Sequence, residues 1–261
     1  MTLRSSILIM LGSLSAFGGW MWYEFQLQPP NISMDPISTL SEEEYRRGDL
    51  RAKDAITRRS PRLSKALAER DLKLGDPVFI RIFKESRELE IWVRHSASGR
   101  YRHFRTWTIA AMSGKLGPKL AEGDQQAPEG FYAVGPSQMK PDSTFHLAFN
   151  IGYPNAYDRA HSRTGSFIMV HGNRVSIGCF AMTDLMIEEI YTLCALALEN
   201  GQAFFRVHSF PFRMSDARLA EATNSSWHPF WLNLKEGYDW FETHKTPPNV
   251  EVRDQRYLFS E

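Results

Sequence analysis

The stretch from Gly165 to Asp184 holds the residues whose types and spacing could do chemistry. Phe167 to Val170 is an apolar run that reads as a buried strand delivering His171 at its end. A short polar loop follows, and then Gly178 and Cys179 stand just before a helix start. A cysteine attacks a carbonyl as thiolate, and a free thiol is mostly protonated near neutrality, so an imidazole within reach is needed to take the proton and return it to the leaving group. Gly178 leaves room for a carbonyl oxygen to approach backbone N–H groups, with Gly172 and Ser176 completing the loop. Thr183 is placed to cap the next helix, whose positive end would favour thiolate at Cys179. The spacing describes a cysteine acyl-transfer site. The same residues also admit a structural reading, because cysteine is among the most often buried residue types.

His171-Gly172 followed by Ser176, Gly178 and Cys179 resembles the signature of the L,D-transpeptidase (YkuD) family, and the longer string from Ser166 to Asp184 is similar to its YafK-like branch. Ala127-Pro128-Glu129-Gly130-Phe131-Tyr132 resembles a second element of the family, the string that leads into a strand. The aromatic stretch Phe210 to Phe241 also looks like the YafK-like branch, so the likeness runs from about residue 45 to near the C-terminus. The resemblance implies that Cys179 forms the acyl intermediate and that His171 is its base. It implies a peptidoglycan stem peptide as substrate, attacked at diaminopimelate, and a role in cell-wall biogenesis and cell shape. Three departures stand out: Ile177 replaces a histidine, Phe180-Ala181 replaces an apolar-arginine pair, and the eight positions from His171 to Cys179 are fewer than usual. The arginine is associated with holding the substrate. The departures therefore point away from ordinary crosslink synthesis, toward transfer or hydrolysis at the link between peptidoglycan and a lipoprotein. A peptidoglycan-binding module with a decayed site is the alternative.

The elements that must position these residues follow in order. With 261 residues, 43% of them hydrophobic, the chain can bury one catalytic domain with additions, and its net charge of +1 argues against a nucleic-acid partner. An uncharged run from Ser5 to Tyr23 follows Arg4 and lies between a secretory h-region and a full span in length. We read residues 1–25 as a signal anchor or signal peptide that puts the rest in the periplasm, with residues 5–23 holding it at the inner membrane. Residues 26–73 are a linker and a basic helical region. Ser41 with Glu44 fits a capping box, Pro61 starts a second helix, and Arg46 to Lys73 carries ten Lys or Arg against four Asp or Glu. That excess is a solvated helix face or an attraction to anionic polymer near the membrane.

Residues 74–209 form the catalytic domain. Val78–Phe83, Leu89–Val93 and Phe104–Ala110 alternate as strands of a meander, and Thr144–Asn150 and Ala203–Val207 are further strands. Leu185–Leu198 is a buried helix stopped by Gly201, with Cys194 in its apolar face. A disulfide between Cys179 and Cys194 would consume the nucleophile. His146, Tyr153, Arg159 and Arg163 are the candidate substrate contacts, the two arginines able to pair a carboxylate in place of the missing one. His146 equally reads as a packed strand histidine, and the loop as ordinary surface with buried tyrosines. Residues 210–261 are an aromatic-rich extension with a helix through Phe230, Leu234, Tyr238 and Phe241, packed on the domain; Trp227 and His228 are its candidates to reach the cleft. His146, His161, His171 and Cys179 match no common zinc spacing, and no cofactor is expected. The fold expected is mainly β (α+β): an L,D-transpeptidase-type β-sandwich with helical additions at both ends.

Overall fold

The computed structural model describes residues 40–261; the proposed anchor and most of the linker lie outside them. Among the described residues no helix is long and apolar enough to cross a membrane. The fold is α+β, built on mixed sheets. In chain order the elements are α1 (Glu42–Arg46), α2 (Gly48–Ala68), β1 (Val78–Phe83), β2 (Glu88–Arg94), β3 (Tyr101–Thr108), β4 (Gly130–Val134), β5 (Met139–Lys140), β6 (Ala148–Asn150), α3 (Ala156–Ala160), β7 (Met169–His171), β8 (Phe180–Ala181), α4 (Asp184–Glu199), β9 (Phe205–Phe210), α5 (Asp216–Glu221), α6 (His228–His244), β10 (Asn249–Arg253) and β11 (Arg256–Ser260).

Five strands form the main sheet in the order β3-β2-β1-β9-β4, and four form a second sheet in the order β5-β6-β7-β8. Within the main sheet β9 runs parallel to β1 and antiparallel to β4. Alternation then sends Ile80, Ile82, Val134 and Val207 to one face, against Leu63 and Leu67 of α2 and Ile187, Ile190 and Leu193 of α4. The other face sends Phe83, Phe131 and Phe210 against Phe230, Trp231 and Leu234 of α6 and Tyr257 of β11. Each wholly buried Phe or Leu contributes about 1.5–3 kcal/mol by leaving water. All six residues of β1 are consequently buried although the sequence alternates, because the C-terminal extension covers the face that the alternation would leave to water. Arg81 survives there by ion pairs to Glu90 at 2.9 Å and Glu242 at 2.5 Å, lying over the Trp92 ring.

The two N-terminal helices differ from the expectation at one point. Ser41 and Glu44 do form a capping box, but α2 runs unbroken through Pro61. The Ser60 hydroxyl donates to the Ile56 carbonyl one turn back, and packing of Leu63 and Leu67 holds the second half in line with the first. Part of the basic excess turns inward. Arg58 and Arg59 pair with the fully buried Glu188 of α4 at 2.8 and 2.6 Å, and Arg51 donates to the carbonyls of Pro141 and Ser143.

The hairpin β10–β11 was not foreseen. Its signal is Val250 and Val252 facing Tyr257 and Phe259 across Asp254-Gln255, both of which adopt positive φ as a tight two-residue turn requires.

Candidate active site

The second sheet sets the relation between the two candidate groups. β7 and β8 are parallel, with Val170 opposite Phe180 and His171 opposite Ala181. Cys179 immediately precedes β8 and so lies near Met169, one pair-step back from His171, with about 8 Å between the His171 and Cys179 Cα atoms from strand spacing and rise. The Met169 backbone N–H donates to the Cys179 sulfur at 3.4 Å, and the thiol reaches the Phe167 carbonyl at 3.6 Å. No hydrogen bond joins the sulfur to the His171 ring. Both cysteines are free thiols, Cys194 wholly buried in α4 and Cys179 half-buried.

His171 is 3% exposed. Its Nδ1 lies 2.6 Å from the Gly172 carbonyl, which can only accept, so the proton sits on Nδ1 and Nε2 keeps a lone pair. Burial pushes this imidazole below its ordinary range, opposed by the Gly172 carbonyl and by Asp184, which leaves it neutral near pH 7. The Phe145 ring lies over it at 4.9 Å. Gly172 is demanded by packing: a Cβ there would stand 2.6 Å from Asp184 Oδ1 and 2.7 Å from the Phe145 carbonyl.

The loop between the strands is fixed from both ends. Asp184 Oδ1 accepts the Asn173 N–H at 2.7 Å, and the Ser176 hydroxyl donates to the Cys179 carbonyl at 2.6 Å. Gly178 holds φ at +119°, a conformation L side chains rarely adopt, and so turns the backbone immediately before the sulfur.

The helix cap expected just after Cys179 is present. Thr183 does cap α4, accepting the Met186 N–H. Burial nevertheless raises the Cys179 thiol above its ordinary range, and the Met169 N–H and the Lys119 charge lower it only in part.

The four candidate substrate contacts fall in different places. His146 is buried, its Nδ1 2.6 Å from the Tyr45 hydroxyl and its Nε2 2.9 Å from Glu188, and its Cβ backs onto Gly172. Tyr153 is buried with its hydroxyl donating to the Lys119 and Thr164 carbonyls, and so braces the loop that carries Lys119. Arg163 is buried against Asp158 at 2.8 Å, its charge committed to the fold. Arg159 is exposed and donates to the Pro154 carbonyl. Ala181, where the family's arginine would stand, is wholly buried and exchanges backbone hydrogen bonds with Ala111. Among the described residues no group of three or more His, Cys, Asp or Glu could hold a metal ion.

Two residues that the sequence reading passed over complete the surroundings. Lys84 is buried and reaches the Gly117 and Ala127 carbonyls and Glu129. Glu129 also accepts the Gly117 N–H and the Trp231 indole N–H. This holds the loop whose Gln126 carbonyl approaches Gly178. Trp227 packs on Gly117 of the same loop, where a Cβ would stand 2.5 Å from the indole nitrogen, so the extension braces the loop from behind. Leu120, Phe167 and Ile177 are exposed apolar side chains on the segments around the sulfur.

Fold and site together define an α+β protein with a histidine at the end of one strand and a cysteine just before the adjacent one, beside a long, internally braced loop. No protein-family model matches the chain. Over 187 residues it is 46% identical to the protein named "Putative L,D-transpeptidase YafK" of Escherichia coli (strain K12), covering 72% of this chain and 75% of that one, and equally to its counterpart in Escherichia coli O157:H7. The chain belongs to the L,D-transpeptidase family, in its YafK-like branch. Among solved structures it is similar to the helical cell shape determining protein Pgp2 from Campylobacter jejuni, at TM-score 0.39 and 18% identity over 74% of this chain and 80% of that one. It is also similar to Bd1075 of Bdellovibrio bacteriovorus, at TM-score 0.37 and 17% identity over 70% and 84%.

Proposed function

We propose that the chain is a cysteine acyl-transfer enzyme acting on diaminopimelate-containing peptidoglycan stem peptides. His171 Nε2 takes the thiol proton as the Cys179 sulfur bonds to the carbonyl carbon. The carbonyl oxygen, now negative, is held by backbone N–H groups around Gly178 and Cys179. The C–N bond then breaks, the proton passes from Nε2 to the departing amine, and a thioester remains. An amine or water attacks the thioester, giving its proton to Nε2, which returns it to sulfur as the C–S bond breaks. The observation that supports this most is the His171 tautomer: with Nδ1–H committed to the Gly172 carbonyl, the nitrogen left as acceptor belongs to a neutral imidazole one pair-step from the sulfur.

The acceptor is the finer part of the proposal. A buried Ala181 in place of a substrate-holding arginine, with Leu120, Phe167 and Ile177 exposed around the sulfur, suits a substrate held by apolar contact. We assign the reaction to the link between peptidoglycan and a wall-attached lipoprotein, in the periplasm, with residues 5–23 as inner-membrane anchor. The full-length protein and its Cys179→Ala form, incubated with sacculi carrying bound lipoprotein and with isolated tetrapeptide muropeptides, test it by mass spectrometry. Release of lipoprotein dependent on Cys179 is the expected result; new crosslinks would make it a crosslinking transpeptidase instead. A second reading, a non-catalytic peptidoglycan-binding module, is favoured by the raised Cys179 thiol and the missing hydrogen bond to His171. Identical products from both forms, with retained binding to sacculi, would establish it.

A further inference from the structure

A cleft of about 450 Å³ opens between β4, β9, the segment from Gly152 to Arg159 and the C-terminal hairpin, and Cys179 is not part of its lining. Its charges are unbalanced. Arg159 and Arg206 both line it, no Asp or Glu does, and among the described residues neither arginine makes an ion pair. Elsewhere Arg58, Arg59, Arg81, Arg163 and Arg213 each pair with a carboxylate. Arg206 donates to Asn249 Oδ1 at 2.7 Å and lies over the Phe204 ring, and burial disfavours its charge with only Tyr101 in opposition.

Beside it on β9, two residues on and so on the same face, His208 also lines the cleft. It is 1% exposed, and neither ring nitrogen has a hydrogen-bond partner. A buried polar group left unpaired is costly, because it has given up water without a partner in exchange. Two guanidiniums met by Asn249 and the Pro154 carbonyl but by no carboxylate, beside an imidazole with no hydrogen-bond partner, make the cleft complementary to an anion that brings acceptor oxygens.

The walls narrow the class of anion. Phe131, Val250, Val252 and Tyr257 are apolar or aromatic, and the volume exceeds that of a bare tetrahedral oxyanion, so the anion arrives on a larger, partly apolar body. β4 is the outer strand of its sheet. Its Phe131 and Ala133 carbonyls are already held by Asn155 and Gln138 side chains, so the body does not add as a further strand and enters by its end.

We propose that this cleft is a second binding site that takes the terminal carboxylate of a peptide between Arg159 and Arg206. It stands independently of the role given to Cys179. The test is calorimetric titration of the full-length protein with N-acetyl-alanyl-alanine and with its C-terminal amide, alongside inorganic phosphate. Saturable binding of the acid is expected, with the amide weaker by about tenfold or more. Arg206→Gln and the exposed Arg159→Gln each weaken the acid by about tenfold, Cys179→Ala leaves it unchanged, and the His208 ring nitrogens shift in NMR as the acid saturates. Equal binding of acid and amide, phosphate binding as tightly as the acid, loss of binding in Cys179→Ala, or no saturable binding each overturns the proposal.

Discussion

The backbone N–H of Met169 points at the Cys179 sulfur from 3.4 Å, across a parallel strand pair that carries His171 two residues further along. The sulfur is thus held by backbone while the imidazole is held by its own neighbour's carbonyl. Each is positioned by the sheet and neither by the other. The resting pair is a neutral thiol near a neutral imidazole.

Alkylation separates the two thiols. Cys179 is half-buried beside exposed residues and Cys194 is wholly buried, its thiol pushed far up by burial alone. Iodoacetamide should modify Cys179 in the folded protein and leave Cys194 untouched until denaturant is added. Because burial raises the Cys179 thiol as well, its labelling rate should still be climbing above pH 8.5. A rate already level at pH 7 would mean a stabilised thiolate and overturn the neutral-pair description.

On the proposed mechanism, His171 sets the acid side of the activity profile. Burial holds its imidazole below the ordinary value of 6.5, and a base works only unprotonated. Acyl-enzyme formation should persist as pH falls through 6.5 and fail below it. His171→Gln should lose at least about 100-fold in rate, the usual scale for a general base. Retention of the rate in that variant would remove His171 from the chemistry.

Glu188 ties α2 to α4 and makes that contact acid-sensitive. Burial alone would raise its carboxyl, but hydrogen bonds from His146 and Arg58 and the charges of His146 and Arg59 outweigh it and hold it at about 2, against 4.5 when unfolded. A carboxyl depressed by folding stabilises above its unfolded value and loses that contribution as pH falls toward the folded one. Roughly 3 kcal/mol should therefore vanish between about pH 4.5 and 2. Denaturant titrations across that range should show the loss, and Glu188→Gln should flatten it while lowering stability at pH 7.

Lys84 and Glu129 are buried together, 2% and 0% exposed. Lys84→Met leaves Glu129 without its cation in a closed interior, at a cost of about 3–5 kcal/mol. Thermal unfolding should fall by about 10 °C. Amide exchange should quicken first between Gly117 and Ala127, whose carbonyls Lys84 holds; unchanged exchange there would show that Trp227 alone braces the loop.

Local order in the chain was enough to specify much of this. The strand Val78–Phe83, the capping box at Ser41 and Glu44 and the helix after Thr183 each depend on residues within a few positions of one another, where periodicity and capping act. What depends on distant residues was decided only by tertiary structure. Arg163 and Arg159 look alike in sequence, yet Asp158 and the Tyr157 ring consume one and leave the other on a cleft wall. Nothing near Lys84 in the chain marks it as buried; Glu129, 45 residues on, closes over it. The Cys179 thiol is raised because loops far apart in the chain, carrying Gln126, Phe167 and Lys119, converge around it, and burial of that kind is a property of packing that no window of sequence contains.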